Sequence, residues 1–194
     1  YFYVMRHVLA ISLGIVGGVL AFSRPTSFWQ KNADKIMILV ILLLVLVLIP
    51  HVGRVVNGSR RWLPLGFLNL QPSEVAKLGT AIYLSNYLCG KSLSVSRFKT
   101  DVLPMLISLV MVWSLLLLEP DMGSTTVVFI IALTILYLSN LDVRVIWGFL
   151  GTGAFAFVAL IITAPYRMKR VLGFIDPFQD ALGKGYQLSH SLLA

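Results

Sequence analysis

The sequence predicts an all-α fold, a polytopic membrane helix bundle. Residues are 58% hydrophobic and only 12% charged, against about 25% charged in a soluble domain. Mean hydropathy is +0.87. The apolar runs are continuous and approach the ~20 residues a bilayer requires, which argues against the alternating pattern of a β-barrel.

Six spans follow in order. The first covers 5–22 and carries Gly14 and Gly18 in the G-x-x-x-G spacing that lets helices approach closely. The second, 36–50, is an almost unbroken Ile/Leu/Val run. The third, 72–88, opens on Pro72, whose missing N–H suits a first helical turn. Spans two and three are short for a bilayer, so flanking residues are expected to extend them. The fourth, fifth and sixth cover 102–118, 122–139 and 143–164. A polar, basic and aromatic tail, 165–194, closes the chain. Residues 1–194 are expected to form a single transmembrane domain. The chain opens on Tyr1 rather than Met, close to a span, and its last few residues are an apolar run, which suggests an internal piece of a longer protein.

Composition also narrows function. Cys89 is the only cysteine, so the chain cannot form an internal disulfide, and its three histidines lie in separate segments without ligand-like spacing. No metal motif or cofactor signature is identifiable. The net charge of +8 suits anionic headgroups or an anionic substrate. Basic residues are split among many loops, which disfavours nucleic acid. Lys and Arg divide evenly between the two alternating sets of loops, so the positive-inside rule gives no orientation. Whichever set faces outward therefore holds cations that need another reason to be there, and an anionic ligand supplies one.

The stretch 57–77, N-G-S-R-R-W-L-P-L-G-F-L-N-L-Q-P-S-E-V-A-K, concentrates the candidate chemistry. Arg60 and Arg61 present planar cations suited to bidentate phosphate contact, and Trp62 suits a membrane interface. Anchoring at that interface without any ligand is the plainer alternative. Glu74 falls in the first turn of the third span, with Lys77 at i+3 on the same side. Glu74 could serve only to complement the positive helix end, while Lys77 snorkels to headgroups. A paired Glu and Lys facing a watery cavity is the functional reading. The turn Glu119-Pro120-Asp121 joins two spans almost without a loop. Asp121 suits an N-cap, and the two acids leave room for a divalent cation. Asp176 precedes a proline and reads as a turn residue.

Five motifs then bring a family into view: N-G-S-R-R-W-L-P-L-G at 57–66, Q-P-S-E-V-A-K at 71–77, E-P-D-M-G-S at 119–124, Y-R-M-K-R at 166–170 and D-P-F…G-K-G-Y-Q-L at 176–188. In order and spacing they resemble the SEDS family (shape, elongation, division, sporulation), closest to its division-specific branch. The resemblance covers essentially the whole chain. It implies a peptidoglycan glycosyltransferase of roughly ten spans, polymerising lipid II at the outer face of the bacterial inner membrane. Expected partners are lipid II, a class B penicillin-binding protein and other division proteins at the septum. The substrate-binding residues it implies are Arg60, Arg61, Trp62, Glu74, Lys77, Asp121, Tyr166, Arg167, Arg170 and Gln187. The family's catalytic Asp lies further along the large external loop and has no counterpart within 1–194. Glu119 is a second departure, because many members carry Gln there. Two rivals stay open: a flippase for lipid II, and a scaffold that recruits a penicillin-binding protein.

Overall fold

The computed structural model describes residues 2–56, 59–66, 68–89, 98–139 and 141–163. Two compact units divide the chain, Tyr1–Ile146 and Trp147–Ala194. Six helices occur among the described residues: α1 (Phe2–Phe22), α2 (Thr26–Leu48), α3 (Pro72–Leu88), α4 (Leu103–Leu118), α5 (Met122–Leu138) and α6 (Val143–Thr163). The second unit contains most of α6.

Within the first unit, α3 packs chiefly against α2 and α5, and α2 also meets α4. The buried positions explain the arrangement. On α2 they are Ala33, Met37, Val40, Leu44 and Val47, and on α4 Met105, Leu109, Val112 and Leu116. Alternating steps of four and three residues keep one seam facing a neighbour, the geometry of near-antiparallel bundle packing. On α5 the seam is Ser124, Val128, Ala132 and Leu136. Lipid is as apolar as these side chains, so close packing rather than burial from water holds such helices together. Gly79 marks a close approach of α3 to α2. A Cβ there would collide with Val40 Cγ2 and lie 3.4 Å from Ile36 Cγ2.

Several boundaries differ from expectation. The second helix starts at Thr26, ten residues before 36, because Lys31, Asp34 and Lys35 sit within the helix ahead of its apolar run. The third gains no extension and remains Pro72–Leu88. A π-helical turn, Phe98–Val102, leads into α4, and together they form the one described stretch, Phe98–Leu118, long and apolar enough to cross a membrane by length and composition. His7–Phe22, Met122–Leu138 and Val143–Ala159 are shorter apolar helical stretches. On α1 the described side chains are exposed, and a Cβ at Gly14 or Gly18 would meet nothing within 4 Å. Within the first unit, the two glycines of the G-x-x-x-G spacing therefore make no close helix contact among the described residues.

The connection between α2 and α3 is a small sheet. Strands β1 (Arg54–Val56), β2 (Ser59–Leu65) and β3 (Leu68–Leu70) pair antiparallel in the order β1-β2-β3. Val56 stands opposite Ser59 and Leu65 opposite Leu68. Asn57 and Gly58, the expected turn, lie outside the described residues.

Candidate functional site

Alternation along β2 sends neighbouring side chains to opposite faces. The adjacent Arg60 and Arg61 accordingly reach two different helix ends. Arg60 Nη1 donates to the Leu48 carbonyl at the end of α2, at 2.9 Å, while its buried Nε has no partner among the described residues. Arg61 Nη2 donates to the Pro120 carbonyl at 2.7 Å and its Nε to the Glu119 carbonyl at 3.4 Å. Helix C-termini leave carbonyls without internal donors and carry partial negative charge, so both contacts are favourable. Neither guanidinium stands as a free phosphate ligand. Each ties the sheet to the bundle. Trp62 is half-buried and pairs with Arg54 across the strands.

Asp121 is the junction of this region. It N-caps α5, with Oδ1 accepting from the Ser124 N–H at 3.1 Å. The same oxygen lies 3.7 Å from Arg61 Nη1. Its Oδ2 accepts from the Ser73 hydroxyl at 3.1 Å and from Gln71 Nε2 at 3.5 Å. Gln71 Nε2 also donates to Ser73 Oγ at 2.9 Å. One buried carboxylate thus joins β2, the start of α3 and the start of α5. Burial pushes its pKa up, yet bonds from Ser124, the Arg61 charge and the Ser73 hydroxyl outweigh that and hold it below the usual carboxylate range.

Glu119, two residues away, is in the opposite state. Its side chain is fully buried and neither carboxyl oxygen has a partner among the described residues. Burial first, and the Asp121 charge second, push its pKa up to about 8, with Arg61 partly opposing them. At pH 7 Glu119 therefore carries a proton.

Glu74 and Lys77 form an ion pair on α3, Oε2 to Nζ at 2.6 Å. Glu74 is 58% exposed, whereas Lys77 is 23% exposed and shares its helix face with the buried Ser73 and Thr80, so the pair sits at the edge between the buried and open sides of α3. Ser73 and Lys77 are i and i+4, one above the other on the helix surface. Glu74 also falls in the first turn, where a carboxylate complements the helix end.

Of the residues expected at the site, Arg61 and Asp121 meet one another, and Glu74 meets Lys77. Tyr166, Arg167, Arg170 and Gln187 lie outside the described residues. Sequence reasoning did not single out Ser73 and Gln71. Both belong to the Q-P-S-E-V-A-K motif at 71–77 and flank the proline that opens α3, within reach of whatever packs on its first turn.

The profile of the FtsW/RodA/SpoVE cell cycle proteins matches residues 1–194. The chain belongs to this family. FtsW/RodA/SpoVE relatives in other bacteria include the probable peptidoglycan glycosyltransferase FtsW of Aromatoleum aromaticum, 44% identical over 194 residues, covering all of this chain and 47% of the relative. The same-named protein of Burkholderia thailandensis is 41% identical over 196 residues, covering 42% of its length. The chain therefore spans about half the length of the curated relatives it matches. Among solved structures, a peptidoglycan synthase complex that coordinates polymerization and crosslinking contains a chain with TM-score 0.71 and 34% identity, matched over 96% of this chain and 55% of that one. The rod shape determining protein RodA of Thermus thermophilus gives TM-score 0.67 at 33% identity, over 80% of this chain and 49% of that one. Membership establishes the polytopic membrane helix bundle.

Proposed function

We propose that the protein to which this chain belongs is a peptidoglycan glycosyltransferase that polymerises lipid II at the outer face of the inner membrane, at the division septum. A class B penicillin-binding protein and other division proteins are its partners. Support comes from relatives named as probable glycosyltransferases that match the whole chain at 41–44% identity. The observation that carries the site is the Glu74–Lys77 pair at the edge of the buried side of a membrane helix, where ionic groups are retained for ligands or transport.

In the transfer, an acceptor hydroxyl oxygen attacks the donor's anomeric carbon. The carbon–oxygen bond to the lipid pyrophosphate breaks, and the pyrophosphate departs with the electron pair. A base must take the hydroxyl proton, and cations must stabilise the departing charge. Lys77 suits the second task and Glu74 keeps it charged and oriented. The base is not assigned within 1–194. Tyr166, Arg167, Arg170 and Gln187 are proposed as further substrate contacts from the tail.

The test is polymerisation of purified lipid II by the full-length protein in liposomes. Glycan chains support the reading. Transbilayer movement of lipid II without polymer would establish the flippase instead, and full division activity in Glu74→Ala and Lys77→Ala proteins would leave only the scaffold.

A further inference from the structure

We propose that Asp121 is a positioning residue for the Glu74–Lys77 pair, acting through Ser73, and does not itself touch substrate. The inference rests on the glycosyltransferase reading for its kinetic consequence and on geometry for its mechanism.

Asp121 is only 4% exposed, and both its oxygens face protein donors: Ser124 N–H and Arg61 on one side, Ser73 and Gln71 on the other. A carboxylate so surrounded has little lone-pair capacity left for a ligand. What it can do is set the start of α3. The side chain of Gln71, at the N-cap position of that helix, makes no capping hydrogen bond. The first turn is instead held from the side, by Asp121 on Ser73. Rotation of α3 about its axis would carry Ser73 away from Asp121 and swing Lys77, one turn further along, through the same angle. The bond therefore fixes the direction in which the half-buried Lys77 leaves the helix. Arg61 completes the device. Its bonds to the Glu119 and Pro120 carbonyls hold the α4–α5 turn, and Asp121 with it, against β2.

The experiment uses the full-length protein with purified lipid II, comparing Asp121→Ala, the milder Ser73→Ala, Lys77→Ala and the Ser73→Ala/Lys77→Ala double variant. Ser73→Ala removes one bond to Asp121 and leaves the α5 cap and the Arg61 contact in place, so it reads the mechanism even if Asp121→Ala folds poorly. Expected is a kcat about ten- to a hundredfold lower for Ser73→Ala with KM little changed, as misplacement of a reacting group produces. The double variant should be no worse than Lys77→Ala alone. A raised KM at normal kcat, or losses that multiply in the double variant, would overturn the proposal. A second readout does not depend on turnover. With the exposed native Cys89 replaced (Cys89→Ser), Lys77→Cys should change its alkylation rate by roughly fivefold when Ser73→Ala is added, as loss of about 1 kcal/mol of local order allows. An unchanged rate overturns the positioning role, whereas absence of polymer from the parent protein overturns only the glycosyltransferase reading.

Discussion

Arg61 donates to the main-chain carbonyl of Glu119 at 3.4 Å, yet the Glu119 carboxyl beside it is buried without a partner. The guanidinium's other contacts are the Pro120 carbonyl and Asp121. Two acids flank one cation, and only one of them is paired with it. Burial and the Asp121 charge push the pKa of the second acid up to about 8, favouring its neutral form.

That neutrality gives a pH dependence with a definite sign. Glu119 has an ordinary pKa of 4.5, which the fold raises to about 8. The folded protein therefore binds more protons than the unfolded chain between those values. Its stabilising contribution is full below pH 4.5 and is lost as pH rises through 8, at up to ~1.4 kcal/mol per pH unit. Glu119→Gln keeps the shape and removes the titration. In detergent, its unfolding temperature should exceed that of the parent at pH 8, and its profile from pH 5 to 8 should be flatter. Parallel profiles for the two proteins would show that Glu119 is not the titrating group.

Gly79 on α3 and Val40 on α2 meet closely, since a Cβ at 79 would overlap Val40 Cγ2. Valine is stiff at χ1 and cannot swing aside cheaply. Gly79→Ala should therefore cost about 1–3 kcal/mol by overpacking, more than the ~1 kcal/mol that alanine gains over glycine in a helix. Adding Val40→Ala should bring the unfolding temperature back toward the parent. If the two losses simply add, the contact is not what limits stability.

The number and order of the helices were legible in the sequence because long apolar runs separated by charged or Pro-punctuated links have few alternatives in a membrane. Which face of each helix is buried was not. Met105, Leu109, Val112 and Leu116 are buried while Ile107, Val110 and Met111 are exposed, and nothing in their chemistry distinguishes the two sets. The sheet between α2 and α3 was hidden because β1 and β3 are only three residues each and β2 carries Arg60, Arg61 and Pro64. Glu74 with Lys77 could be read from spacing alone, being three apart on one helix. Arg61 with Asp121 could not, since 60 positions separate them and only packing brings them together.

Arg60 offers a direct test of whether the tandem arginines hold helices or phosphates. Its bond to the Leu48 carbonyl is a charge-assisted one in a half-buried place, so Arg60→Ala should lower stability by about 1–2 kcal/mol. If capping α2 is its role, the KM for lipid II stays near that of the parent once the protein is folded. Normal stability with a KM raised tenfold or more would return Arg60 to the substrate.

For Glu74 and Lys77 the expected pattern is reversed: little effect on stability and a large one on activity. A partly exposed i,i+3 ion pair contributes about 0–1 kcal/mol, so Glu74→Lys or Lys77→Glu should move the unfolding temperature little. Each reversal alone places two like charges side by side and should lower lipid II polymerisation by at least about tenfold. Reversing both restores the attraction between them. It also puts a cation in the first turn of α3, which opposes the helix dipole by about 0.3–1 kcal/mol, and it moves the positive group one turn toward that end. Recovery should accordingly be partial, but greater than in either single variant. Equal defects in all three proteins would mean that the two side chains act separately, with Lys77 meeting its ligand without help from Glu74.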